Sequence, residues 1–316
     1  VAQEPVLTVT LNPAYDLATS IERVVPEIKL RCAAPLADPG GGGINVSRAI
    51  ARIDGESRAA VSLGGPNGEA MERLLAEEGI TTVPLPAPGE TRLSFAVTET
   101  LTGAQFRFMM PGPEWSEADA EAAVAAVREA APPGTRVVLS GSTPPGVPED
   151  IAARMQAGLG SERRLYVDTS GPALHAIGRV PAGLALLRMD GAEAEDLAGR
   201  PLPTRRASAE FAADLVGRGV AEAVLVARGG DGNIVADAEG VWHAEALRVP
   251  VVSKVGAGDS FLGAFVLARA RGGDLPEALG WGAAAASAAC MTPATELFRR
   301  EDFERLLEMR EITRMA

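Results

Sequence analysis

The sequence predicts an α/β protein, a doubly wound and mostly parallel sheet with flanking helices, plus a small discontinuous β-sheet lid. Three observations carry that prediction. Short apolar runs without polar alternation recur at 6–11, 59–63, 136–140, 165–168, 184–188 and 223–227. Runs of this length suit strands buried on both faces, as in a parallel sheet. Helix-like patterns lie between them, and strand–helix alternation implies right-handed crossovers around one sheet. Two regions, 17–36 and 91–110, break the rhythm with extended, period-two patterns.

Each element has a local reason. Residues 44–53 form a helix directly after a glycine run, and 68–78 place Met71, Leu74 and Leu75 on one side. Ser116 and Asp119 stand in capping-box spacing at the start of 116–130. Helical patterns at 261–271, 275–291 and 300–311 fill the C-terminal end. In the second alternating region Arg92, Ser94 and Ala96 oppose Leu93, Phe95 and Val97, while Gln105, Arg107 and Met109 oppose Phe106, Phe108 and Met110. Half-buried strands of this kind suit a separate antiparallel sheet. The expected organisation is a body of 1–16, 37–90 and 111–316 with a lid of 17–36 and 91–110.

Composition narrows the function. The 316 residues hold 30 Lys plus Arg against 42 Asp plus Glu, a net charge of −12. That balance argues against nucleic acid or an anionic membrane as the main partner. Two cysteines, Cys32 and Cys290, supply no disulfide framework and fit a reducing cytoplasm. His175 and His243 have no metal-type spacing, which excludes HExxH hydrolases and disfavours His-based acyl transfer. No apolar run is long enough to span a bilayer, and no leader pattern is expected at the start of the chain. Lysine occurs only at Lys29 and Lys254, in a chain that otherwise uses arginine.

Glycine-rich elements stand where an α/β sheet presents its strand ends. Pro39-Gly40-Gly41-Gly42-Gly43-Ile44-Asn45 runs straight into a helix, so backbone and N–H groups can approach a ligand closely. The same run also reads as a hinge. It is neither a Walker A loop nor a dinucleotide fingerprint, which argues against a nicotinamide oxidoreductase. Val255-Gly256-Ala257-Gly258-Asp259-Ser260 opens a later helix. There the amides of Gly256, Ala257 and Gly258 can form an anion hole, and Asp259 can accept a proton from an attacking hydroxyl. Alternatively Asp259 merely caps the helix. Gly141-Ser142-Thr143, Asp190-Gly191-Ala192-Glu193 and Ala227-Arg228-Gly229-Gly230-Asp231-Gly232 each follow a predicted strand. A carboxylate in the second can organise Mg²⁺ through water. Lys29, Arg31, Arg92 and Arg107 cluster in the lid segments, either as a phosphate clamp or as a solvated face; Lys29 and Arg31, two apart, are expected on one strand face.

With these residues in view, the chain resembles the ribokinase-like (PfkB) carbohydrate kinases. The resemblance runs from Asn12-Pro13-Ala14-Tyr15-Asp16 to the C-terminal helices, and the Gly-Gly-Gly-Gly-Ile-Asn and Gly-Ala-Gly-Asp elements match the two signature regions in order. Lys29-Leu30-Arg31-Cys32, Phe106-Arg107-Phe108 and Met110-Pro111-Gly112 look like the PfkB-type bacterial 6-phosphofructokinases. The resemblance implies a ribokinase-like fold and MgATP-dependent phosphorylation of fructose 6-phosphate on its 1-hydroxyl. It implies that Asp16, Gly41, Gly42 and Asn45 hold sugar hydroxyls and that Lys29, Arg31, Arg92 and Arg107 clamp the phosphate. Ser142 then lies near the sugar and Asp168 in the polar network. Asp259 is the implied base beside Gly256, Ala257 and Gly258, Glu193 places Mg²⁺, and Asp190, Ala227, Gly229, Gly232 and Lys254 border the ATP. A homodimer through the lid is implied as well.

Four departures from the family pattern bear on efficiency and nucleotide preference. Arg188-Met189-Asp190 stands where the family has Lys-Pro-Asn, Ala227 where it has Ser or Thr, and Lys254 where it has a small polar residue or Pro. Met291-Thr292-Pro293-Ala294 replaces a more glycine-containing turn. 1-Phosphofructokinase and tagatose-6-phosphate kinase activities fit the same clamp, and a catalytically weak sugar-phosphate or nucleotide sensor is the alternative from another class. Ligand binding with little turnover is what distinguishes the sensor.

Overall fold

The computed structural model describes residues 3–293 and 296–315. Along the chain come β1 (Val6–Thr10), β2 (Ala14–Ile21), β3 (Leu36–Gly40), helix α1 (Gly42–Arg52), β4 (Arg58–Val61), α2 (Gly65–Glu77) and β5 (Thr81–Pro84). Next are β6 (Arg92–Glu99), β7 (Gln105–Met109), α3 (Glu117–Ala130), β8 (Arg136–Ser140), α4 (Ile151–Leu159), β9 (Arg164–Asp168), α5 (Gly171–Arg179), β10 (Leu186–Asp190), α6 (Gly191–Ala198) and α7 (Arg205–Gly217). The last stretch holds β11 (Val224–Ala227), β12 (Asn233–Asp237), β13 (Gly240–Ala244), α8 (Ala257–Ala270), α9 (Leu275–Ala289), α10 (Arg300–Glu308) and β14 (Ile312–Arg314).

The ten-stranded main sheet has the order β14-β13-β12-β11-β10-β9-β8-β1-β4-β5. Neighbours from β5 to β11 are parallel, and β12 to β14 add an antiparallel edge. Every residue of β1 and β8 is buried, as unbroken apolar runs require. Strand order turns back on itself between β1 and β8, and open α/β sheets bind ligands at such a switch point, outside the carboxyl ends. Helices α1, α8, α9 and α10 pack one face of the sheet, and α3 to α7 pack the other. Ser116 and Asp119 cap α3 reciprocally, as their spacing predicts.

Helix α8 is buried from Ser260 to Ala268, the signature of a helix that is apolar all round. It meets α1 closely because residue 263 is glycine: a Cβ there would stand 2.8 Å from Ala49 Cβ and 2.9 Å from the Val46 carbonyl.

The lid is a four-stranded sheet ordered β3-β2-β6-β7. Its outer pairs, β3 with β2 and β6 with β7, are antiparallel, as the sequence patterns predict, but its central pair, β2 with β6, is parallel. The reason lies in the body. β2 and β6 each follow a strand of the parallel main sheet, β1 and β5, so both enter the lid in the same sense. Two further expectations change. Residues 22–35 contain no strand and the return strand is β3, so Lys29 and Arg31 share no strand face. β7 is exposed along its whole length rather than half-buried.

Among the described residues no helix is long and apolar enough to cross a membrane. Replacing Gly263 with Val forces α1 and α8 apart. Overpacking of this kind is expected to cost about 1–3 kcal/mol, read as a lower midpoint in chemical denaturation relative to a Gly263→Ala control of intermediate stability.

Candidate active site

Two cavities open at the carboxyl ends of the parallel strands, separated by the loop that starts α8. The first, about 90 Å³, lies under the lid and is lined by Asp16, Asp38, Asn45, Arg48, Ser94 and Arg107 among others. The second, about 230 Å³, is lined by Arg188, Asp190, Ala227, Gly229, Asn233, Lys254, Ala257 and Gly258, with Ala283, Ala286 and Ser287 of α9 behind. A larger hollow of about 490 Å³ lies near the amino ends of β1, β4 and β5, bordered by Pro5, Arg58 and Thr81. It lies at the opposite end of the sheet from the carboxyl ends, where open α/β sheets bind ligands.

Asp259 stands between the two cavities, in the first turn of α8. The N-cap of that helix is Gly256, at φ 77°, and no side chain caps it, so Asp259 is not the cap. Its Oδ2 accepts from Asn45 Nδ2 at 2.9 Å. Burial pushes its carboxyl up from 3.8 to about 7, against the lowering effect of Asn45; Asp168 adds to the rise, while Arg188 and Ser140 oppose it. Amides at the start of α8 have no intrahelical acceptor and carry the positive end of the helix dipole.

Behind this carboxylate, Arg188 Nη1 reaches both oxygens of Asp168, at 2.9 and 3.1 Å. The two residues are register partners, Arg188 in the middle of β10 and Asp168 at the end of β9. Burial opposes the guanidinium charge, yet Asp168 outweighs it and pushes Arg188 up, with Asp259 and Glu193 adding to the effect. A Cβ on Gly258 would lie 2.8 Å from Arg188 Nη2, so this glycine lets the loop rest on the guanidinium.

On the lid side, Asp16 and Asp38 are register partners across β2 and β3. Burial pushes both carboxyls up; Ser94, Arg92, Arg107 and Arg48 oppose it at Asp16, and Arg48 opposes it at Asp38. Arg92 donates to the Met110 and Asn12 carbonyls. Asn12 Nδ2 donates to Ser142 Oγ at 3.1 Å, joining the ends of β1 and β8 across the switch point. Asn12 Oδ1, Asp16 Oδ1, Arg92 Nε and Arg188 Nε are buried without a hydrogen-bond partner among the described residues. Such groups cost roughly 1–3 kcal/mol each, and a polar ligand at either cavity can offset part of that cost.

The model of the pfkB family carbohydrate kinases matches residues 9–299. The chain belongs to that family. It is therefore a sugar kinase by family, with a ribokinase-like fold. ATP-dependent 6-phosphofructokinase isozyme 2 of Mycobacterium tuberculosis is 37% identical over 305 residues, covering 96% of this chain and 89% of that protein. The Escherichia coli protein of the same name is 36% identical over 302 residues, covering 95% and 97%. The crystal structure of Escherichia coli phosphofructokinase-2 in complex with fructose-6-phosphate superposes with a TM-score of 0.89 at 34% identity, covering 97% of this chain and 99% of that one.

The family's glycine run has a structural role in this chain beyond approach to a ligand. A Cβ on Gly40, Gly42 or Gly43 would collide with Asp16, with Ser140 or with Val9 and Thr10 respectively. Gly41, at φ 137°, is the N-cap of α1. Gly41 and Gly42 thus shape the site without lining either cavity. Asp190 and Glu193 cap α6 reciprocally: Glu193 N donates to Asp190 Oδ1 at 2.9 Å, and Asp190 N donates to Glu193 Oε2 at 2.8 Å.

Of the residues expected at the site, Arg92, Ser142, Asp168, Glu193, Gly256 and Asp259 line neither cavity but belong to the surrounding elements, and three others stand elsewhere. Lys29 and Arg31 are exposed on the 22–35 segment and line neither cavity. Gly232, at φ 87°, faces the Ala244 carbonyl and His243 rather than the second cavity; it is glycine because the β11–β12 turn needs it. Of the 291–294 turn, Ala294 lies outside the described residues; Thr292 is buried and donates to the Ala289 carbonyl. Asp38, Arg48, Arg188 and Asn233 are site residues that sequence reasoning passed over. For Arg188 a signal existed, since two apolar runs end on opposite charges, Asp168 and Arg188.

The raised Asp259 carboxyl has a consequence for stability. Its folded value of about 7 lies above the ordinary 3.8, so folding takes up a proton and this contribution is lost as pH rises through about 7. Asp259→Asn is therefore expected to melt above the wild type at pH 8, with the difference closing towards pH 4, as measured by calorimetry across that range.

Proposed function

We propose that this chain phosphorylates the 1-hydroxyl of fructose 6-phosphate with ATP, yielding fructose 1,6-bisphosphate and ADP. The observation that carries the reading is the placement of Asp259: a base-competent carboxylate, held by Asn45, at the junction of a cation-bordered pocket and a second pocket at a helix N-terminus. The named activity of the relatives supports it.

In this reading the sugar phosphate occupies the lid cavity, with Asp16 and Asn45 on its hydroxyls and Arg92 and Arg107 on its 6-phosphate. Ser142, oriented by Asn12, borders the sugar. ATP occupies the second cavity beside Asp190, Ala227, Gly229 and Lys254. The 1-hydroxyl gives its proton to Asp259 as its oxygen attacks the terminal phosphorus, and ADP leaves. Amides of Gly256, Ala257 and Gly258 face the charge that develops on the transferred group. Asp168 keeps the neighbouring Arg188 charged beneath that loop. Mg²⁺ fits the free oxygen of Glu193, whose Oε2 is engaged by Asp190 N; this ion commonly takes one or two carboxylates plus phosphates and water, and supplies charge neutralisation on them. Lys29 and Arg31 join the clamp only if the lid closes or a second lid meets it.

The lid also supports a homodimer. Phe106, Phe108 and Met109 are exposed on the edge strand β7 at 39%, 50% and 52%, an apolar edge of the kind that two copies bury. Sedimentation is expected to give a dimer, and Phe108→Glu a monomer; a wild-type monomer at all concentrations rejects this assembly.

A panel of free and phosphorylated sugars with MgATP tests the reaction. Fructose 6-phosphate should be the preferred acceptor, and turnover confined to unphosphorylated sugars, or to fructose 1-phosphate or tagatose 6-phosphate, rejects the assignment. Asp259→Asn should lower kcat by roughly 100-fold or more. The wild-type kcat/KM should rise with pH and level off above about 7, as the Asp259 carboxyl ionises.

A further inference from the structure

Arg48 has the geometry of a part in the reaction, although it is too far back in α1 to be read as one from the sequence. It is a buried arginine, 6% exposed, on the helix that also carries Asn45. Its Nε and Nη2 donate to the two oxygens of Glu78, just beyond α2, at 2.6 and 2.7 Å. The planar guanidinium is thereby fixed along one edge. Nη2 also approaches Asp38 Oδ1 at 3.4 Å, and the remaining corner, Nη1, faces Asn45 Oδ1 at 3.5 Å.

Asn45 lies between two groups of opposite demand. Arg48 can only donate, and an ionised Asp259 can only accept. One orientation of the carboxamide satisfies both, with oxygen towards Arg48 and nitrogen towards Asp259 Oδ2 at 2.9 Å. The flipped amide would turn a carbonyl on the carboxylate and leave the guanidinium facing an NH₂ group.

We propose that Arg48, anchored by Glu78, is a positioning residue that holds the Asn45 carboxamide in the orientation that donates to Asp259. The inference rests on Asp259 acting as the base. It assigns a catalytic consequence to Glu78, a side chain that lines neither cavity. The charged and polar groups facing Asp259 are Asn45 from α1, Ser140 from β8, Asp168 from β9 and Arg188 from β10. Of these, the Arg48 guanidinium approaches Asn45.

Two variants test it in the full chain, each checked for native circular dichroism. Glu78→Ala removes the anchor without entering the cavity, and Arg48→Lys keeps the charge but cannot grip Glu78 and Asn45 together. Loss of a hydrogen bond to the ionised form raises a carboxyl, here by about one unit. The expected result is an Asp259 titration, followed by carbon-detected NMR with labelled aspartate, whose midpoint moves up in both variants. Turnover should fall about tenfold at pH 6.5 and recover at pH 9, with the sugar-phosphate KM of Glu78→Ala within about twofold of wild type. Glu78→Gln, which still accepts one guanidinium hydrogen, should restore part of the loss. A lower melting temperature with an unmoved Asp259 midpoint overturns the proposal and leaves a structural ion pair. Asp259→Asn separates the two readings. Unimpaired turnover in that variant removes the base assignment, while the NMR midpoint still reports whether Glu78 and Arg48 govern the carboxyl.

Discussion

The arrangement of this site depends on the close approach of two helix N-termini. α1 and α8 can touch because Gly263 presents no side chain to Ala49 and the Val46 carbonyl. That approach brings Asn45, in the first turn of one helix, to 2.9 Å from Asp259, in the first turn of the other. Both helices start at the carboxyl ends of the parallel sheet, where Thr10 accepts from Ile44 N and ties α1 to β1. Backbone packing therefore sets the geometry before any charge is considered.

Charge is then placed against the cost of burial. Asp16, Asp38 and Asp259 all lie where desolvation opposes ionisation. Each has an arginine acting in the other direction: Arg92, Arg107 and Arg48 at Asp16, Arg48 at Asp38, Arg188 at Asp259. The compensation is incomplete, because all three carboxyls remain raised. A carboxyl near neutrality suits proton transfer, and incompletely paired groups suit the binding of a polar, charged ligand. In a chain of net charge −12, the arginines around the lid cavity are a local concentration of positive charge.

The lid shows how topology overrides local pattern. Its alternating residues favour strands, and strands form at β2, β6 and β7. Their relative direction comes from elsewhere. β2 and β6 continue from β1 and β5, which are parallel members of the main sheet, and so they pair in parallel. The segment between β2 and β3 takes no strand at all, and Lys29 and Arg31 are left exposed on it. The lysine that sequence economy singled out thus lies outside both cavities, while Lys254 lines the second one.

By itself the sequence determined what short-range sterics and local periodicity control. Apolar runs of four to six residues placed β1, β4, β8, β9, β10 and β11 to within two residues, and the Ser116–Asp119 spacing marked the start of α3. The glycine run and the Gly-Ala-Gly-Asp loop located both helix N-termini that form the site. The tertiary structure alone decided which charges meet. Arg188 with Asp168, Arg48 with Glu78 and Asp38, and Asn45 with Asp259 join residues 10 to 214 positions apart. Such pairs follow from strand order, register and the approach of helices, and apart from the opposite charges that end two apolar runs at Asp168 and Arg188, no local pattern marks them. Of the two roles open for Asp259, the backbone removed that of cap by placing Gly256 there. A left-handed glycine closed the helix end and left the carboxylate free to face Asn45.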